Sequence, residues 1–236
     1  MMMVRLALWV AASSSALTGC GLISSNVTTY DLDLPAKSFS VDASGWQVTQ
    51  TAADAYLEKN CASTPMLCAT AATTACPMNC SGSCDMTHHT CDLGLEIAAH
   101  QTIDLVSEKP ELKSVDAATS VLHVTVDAMM YAVVDNSLNI DTPLLSVYVA
   151  PMSVMDPGDP MAKLIGTIEV VPAGTTFDAQ AMTFTDGGQD TLTAALADFK
   201  NPFNVIVGGT LMLAAGDEVP RGKLDANVHI KAHASP

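Results

Sequence analysis

Residues 223–233, Lys-Leu-Asp-Ala-Asn-Val-His-Ile-Lys-Ala-His, decide the fold class. Leu224, Ala226, Val228, Ile230 and Ala232 alternate with Lys223, Asp225, Asn227, His229 and Lys231. Successive side chains of a strand point to opposite faces, so a strict period of two predicts a half-buried strand with one solvated side. The same period recurs elsewhere in the chain. Leu95, Ile97, Ala99, Ile103 and Leu105 share one parity, Leu122, Val124, Val126 and Ala128 share another, and Leu145, Val147 and Val149 follow. Residues 164–171, 179–185 and 204–214 are further strand candidates. Near the start, Tyr30, Leu32 and Leu34 alternate, then Phe39 and Val41, and the strand reading extends through 46–51. Residues 190–200 break the rule: Leu192, Ala195, Leu196 and Phe199 fall at helical spacing between Gly187-Gly188 and Pro202, which predicts one crossing helix. Residues 51–60 have enough Ala, Leu and Glu for a short helix.

Six or more strands separated by Pro, Gly and Asp turns, with essentially one short helix, predict an all-β protein. The expected form is an antiparallel β-sandwich, of which the immunoglobulin-like arrangement is one version. It would be built from residues 94–236 and the strands before residue 50, as a single domain over 29–236. A cysteine-rich insertion at 61–91 interrupts it.

Cys61, Cys68, Cys76, Cys80, Cys84 and Cys91 lie in a stretch of Ala, Thr and Ser with little apolar bulk. Something covalent or metallic must order it. An even count allows three disulfides in any of 15 pairings, and local cross-links would make this segment a stapled excursion from the sandwich. The rival is a metal site. Cys76, Cys80 and Cys84 recur every four residues with Met78, Met86, His88 and His89 nearby, and these soft ligands suit an ion such as Cu(I). The paired Cys-x2-Cys knuckle of structural zinc sites is absent. Disulfides are therefore the expectation, with no metal or other cofactor.

The N-terminus supplies an address. Arg5 precedes an apolar run from Leu6 to Leu17, and Thr18, Gly19 and Cys20 follow. About a dozen apolar residues fall short of the roughly 20 that a spanning helix needs. This layout is that of an export signal. Leu17-Thr18-Gly19-Cys20 resembles the lipobox of bacterial lipoproteins, a likeness confined to residues 1–20. The resemblance implies diacylglyceryl transfer to the Cys20 thiol and cleavage before it, which gives a signal peptide at 1–19 and a lipidated tether at 20–28. Gly21 stands where an Asp would favour inner-membrane retention, so the implied address is the outer membrane of a Gram-negative envelope. The implied partner is the membrane itself, reached through lipid on Cys20.

Charge narrows the remaining partners. Without Arg5 the chain keeps nine basic residues against 25 acidic ones, a formal −16 (9 minus 25). Such a polyanion has no electrostatic attraction for nucleic acid or a bare anionic bilayer. Asp156-Pro157-Gly158-Asp159, Asp186 with Asp190, and Asp217-Glu218 read as turn residues in preference to calcium ligands. His229 and His233 read as surface histidines, and His100 and His123 as isolated ones. The sequence has no Gly-x-Ser-x-Gly elbow, His-Glu-x-x-His pair or phosphate-cradling glycine loop. The expectation is an envelope protein with a binding or structural role toward a protein or small molecule, without catalysis. A metal-handling protein and an enzyme with an unrecognised site are the alternatives.

Overall fold

The computed structural model describes residues 30–114 and 123–235. The expected signal segment, the tether, Cys20 and Leu122 lie outside the described residues. In chain order the early elements are β1 (Tyr30–Asp31), β2 (Lys37–Asp42), α1 (Gln50–Leu57), α2 (Met66–Ala75), β3 (Cys80–Asp85), β4 (Thr90–Ile103) and α3 (Leu105–Glu108). After them come β5 (His123–Asn136), β6 (Leu145–Pro151), β7 (Lys163–Ile168), β8 (Phe177–Ala181), β9 (Thr183–Phe184), α4 (Gly188–Ala197), β10 (Phe203–Leu213) and β11 (Lys223–Ser235).

These strands make two antiparallel sheets, as the alternation predicts. The first has the order β1-β11-β5-β8, with β2 also paired to β11; the second runs β3-β4-β10-β6-β7-β9. The sheets face each other. A small interior space of 30 Å³ is lined by Val133, Leu224 and Val228 from the first and by Leu145, Ile168 and Val207 from the second. On β11 the expected inward residues Leu224, Val228, Ile230 and Ala232 are buried, and Ala226 is partly so.

The parity expected for β5 holds only at its start. Lys231 pairs with Ala128 while Ala232 pairs with Val126, so Asp127 is an extra residue in the ladder. A bulge of one residue moves every later side chain to the opposite face. Met129, Tyr131 and Val133 are therefore the buried set, not Ala128. Val134 is skipped in the same way between Asp135 and Val133, which turns the buried Asn136 inward.

Residues 46–51 do not continue a strand. Asp42 Oδ1 accepts the Ser44 amide at 2.9 Å, and a 3₁₀ turn forms over Ala43–Trp46. Gln47, with φ 55°, ends it, and Thr49 caps α1 by accepting from the Ala52 amide. The expected crossing helix is α4, whose Leu192 and Leu196 are buried. Gly188 at its start must be glycine. A Cβ there would stand 2.0 Å from the Ile165 carbonyl oxygen.

The cysteine-rich segment is joined to the sandwich more closely than an excursion would be. β3 pairs with β4 from Cys80↔Leu95 to Asp85↔Thr90, as an edge strand of the second sheet. Cys61, Cys68, Ala72 and Cys91 belong to the same buried cluster as Leu93, Val205 and Val228. The segment also contains α2, a helix the sequence reading did not include.

Candidate functional site

Three disulfides order the cysteine segment: Cys61–Cys84, Cys68–Cys91 and Cys76–Cys80, with Cα separations of 5.9, 5.4 and 6.1 Å. All three lie within the span that a disulfide bridges. Cys84 and Cys91 stand directly opposite each other on β3 and β4, on one face, yet each bonds elsewhere. Cys84 holds the segment after α1, and Cys91 holds α2 down onto β4. Tyr56 completes the packing. Its hydroxyl donates to the Cys68 carbonyl at 3.0 Å and lies 3.2 Å from that of Asp92. Burial, with the Asp92 charge second, pushes this phenol up to about 12. Gly82 makes room for it, since a Cβ would fall 2.2 Å from the Tyr56 Oη and 2.4 Å from the Cys68 oxygen.

The sulfurs of Cys61, Cys68 and Cys84 lie within 4.8 Å of one another, in a grouping with metal-site dimensions. All three are disulfide-bonded, and a thiolate is what a soft ion requires. The set that suggested a metal in the sequence is divided. Cys84 pairs away from Cys76 and Cys80, Met78 and Met86 are exposed, and His88 sits on the β3–β4 turn. There its Nδ1 meets the Asp85 carboxylate in a close contact, and Asp85 also accepts the Thr87 amide at 2.7 Å. The His88 bond and then the backbone bonds lower Asp85 to about 2, and the same contact raises His88.

The other candidate residues are structural or surface groups. Asp156 accepts the Gly158 amide at 2.7 Å and Asp159 the Met161 amide at 2.8 Å, both as turn caps. Asp217 accepts the Ala214 amide, and Glu218 pairs with Arg221 at 3.0 Å. His229 pairs with Asp33 at 2.7 Å and His233 with Asp127 at 3.1 Å, on the outer side of the first sheet. Neither carboxylate partner was legible in the sequence, because one precedes β2 and the other is the bulged residue of β5.

Hollows of small-molecule size are present among the described residues. One of 550 Å³ is lined by Asp42, Ser44, Gln47, Thr49, Arg221 and Lys223. Its cations are already engaged: Lys223 meets Asp225 at 2.7 Å, which raises the amine, and Arg221 meets Glu218. Another, of 730 Å³, lies over the outer face of β10. Its floor is Gly208, Gly209 and Thr210, and Glu96 of β4 and Tyr148 of β6 flank it. A loop at 152–162 forms its wall, tied down by Asn204. This wholly buried amide donates to the Met152 carbonyl at 3.0 Å and the Val154 carbonyl at 2.7 Å, and accepts from the Thr102 hydroxyl. Sequence reading missed Asn204, whose one sign was a lone amide inside the apolar run Phe203–Val207.

Among the described residues no helix is long and apolar enough to cross a membrane. Comparison of the chain with protein-family models, with curated proteins and with solved structures gave no match.

Proposed function

We propose that the chain is a lipid-anchored protein of the bacterial cell envelope, at the outer membrane of a Gram-negative cell, with a binding or structural role and no catalytic one. Leu17-Thr18-Gly19-Cys20 carries this reading. The three disulfides support it, because such bonds form and persist in exported proteins and are rare in the cytosol. A preformed cleft of small-molecule size supports the binding role. Each buried methylene of a lipid chain contributes about 0.8 kcal/mol, and one chain alone holds only marginally, so stable anchoring needs the several chains of a lipoprotein.

The test is Cys20→Ala. The native protein should have an intact mass that begins at residue 20 with added lipid, and it should sediment with membranes. The variant should lose the lipid mass and appear in the soluble fraction. A native mature form that starts elsewhere and carries no lipid would refute the anchor.

A further inference from the structure

We propose that the 730 Å³ cleft over β10 binds an organic cation with an apolar body, a ligand of the aryl-alkylamine type. The inference rests on the binding role proposed above and is independent of the lipid anchor.

The cleft is built in advance of any ligand. Asn204 fixes the start of the 152–162 loop through two bonds, and Ala150, Val154 and Ile206 form a separate small core beneath it. Farther along, Pro157 closes on Gly208. A Cβ on that glycine would come within 2.7 Å of the proline ring, so the glycine is what lets the loop lie against the sheet. A wall held in this way needs little ordering when a ligand enters, and low ordering cost favours affinity. The volume falls inside the roughly 300–1,000 Å³ of small-molecule sites.

The lining selects the ligand class. Among the described residues, Glu96 and Asp156 are its charged side chains, and no Lys, Arg or His lines it. The whole chain adds a field of the same sign, with a formal charge of −15. An anion would meet two carboxylates without a counter-charge, whereas an ammonium group gains charge-assisted hydrogen bonds. The remaining walls are partly apolar. Leu144 and Met155 are half exposed, at 50% and 55%, and Tyr148, opposite Ile206 on the neighbouring strand, lines the same cleft. A lining that includes an exposed flexible thioether and an aromatic ring adapts well to an apolar body. A bare inorganic cation would leave that surface uncovered.

The experiment uses the full chain purified in detergent and titrated separately with phenethylamine, 2-phenylethanol and phenylacetate, followed by amide chemical shifts. Phenethylamine should saturate at millimolar concentration, with shifts centred on residues 96, 148, 156 and 208–210. The alcohol and the acid should bind about tenfold more weakly or not at all. Glu96→Gln and Asp156→Asn should each weaken the amine about fivefold; the asparagine keeps the carbonyl that caps Gly158, so the loop survives. Equal binding of the alcohol at the same residues would overturn the cation and keep the binding role. Wild-type affinity in the double variant would likewise overturn the cation. No saturable shift from any of the three would overturn both the inference and this cleft's part in the proposed function.

Discussion

The two ends of β4 belong to regions that are ordered by different means. Toward Ile103 it pairs with β10, and its inward residues join the aliphatic interior shared with β5 and β11. Toward Thr90 it pairs with β3, and what packs on it is Cys61, Cys68, Ala72 and Tyr56. The first region buries Leu, Ile, Val and Phe side chains from both sheets. The second buries mostly alanine and sulfur, and burial free energy scales with apolar area at about 25 cal/mol per Å². Covalent closure supplies what the small side chains lack. One sheet can thus be continuous in hydrogen bonding while its stabilisation changes character along a single strand.

The largest expected effect lies in the aliphatic region. Val228→Asp places an unpaired charge between the sheets and should cost roughly 3–5 kcal/mol, a fall in Tm on the order of 10 °C. Asn227→Asp, on the outer face, should change little. Equal melting temperatures for the two would show that the interior has been assigned to the wrong face.

Next in size is the stapled region, where removing Cys68 and Cys91 together should cost about 3 kcal/mol and removing Cys76 and Cys80 about 2. The loop closed by the first pair is longer, at a sequence separation of 23 against 4. Urea titration measures both. Because Cys91 sits on β4, hydrogen exchange should quicken at the β4–β10 ladder as well as in α2, and loosening confined to residues 50–92 would separate the regions completely. Stepwise reduction should follow burial. Cys61–Cys84 and Cys76–Cys80 each include one half-buried residue and open first, whereas Cys68–Cys91 is buried at both ends and opens last. Before reduction the denatured protein should show no reactive thiol among the six. Several reactive thiols together with a stoichiometric metal would put the metal-handling alternative in place of this reading.

The smallest effect is at the tip of the β3–β4 turn. His88 should titrate above 6.5 by NMR, and Asp85→Asn should return it toward that value. The raised His88 contributes stability that is fully present below 6.5 and is lost as pH rises through its folded value. The lowered Asp85 contributes above its unfolded value and is lost as pH falls toward about 2. Both contributions coexist between those limits, and both groups are exposed, so the effect on global melting should be slight. A His88 that titrates normally would remove the pair.

The sandwich was legible because alternation is written residue by residue, most plainly at Leu224–Ala234. The bulges at Asp127 and Val134 were not, since an extra residue in a ladder depends on the partner strand's register. Cysteine number was legible and connectivity was not: Cys84 and Cys91 face each other, and local pairing would have joined them. α2 escaped notice because Met66–Ala75 has Ala and Thr on every side and no clear apolar stripe. The cleft was illegible for a related reason. Its lining comes from three strands and the segments that connect them, and its wall is held by an amide whose purpose appears only when the 152–162 loop is folded over it.

The interleaving of Cys61–Cys84 with Cys68–Cys91 bears on how the protein would survive an encounter with a protease. A cut between 61 and 68 is spanned by the first bond, a cut between 84 and 91 by the second, and any cut between 68 and 84 by both. No single nick within residues 61–91 can release a fragment. A clipped chain would keep its two halves covalently attached, and on a reducing gel alone would it separate into two bands.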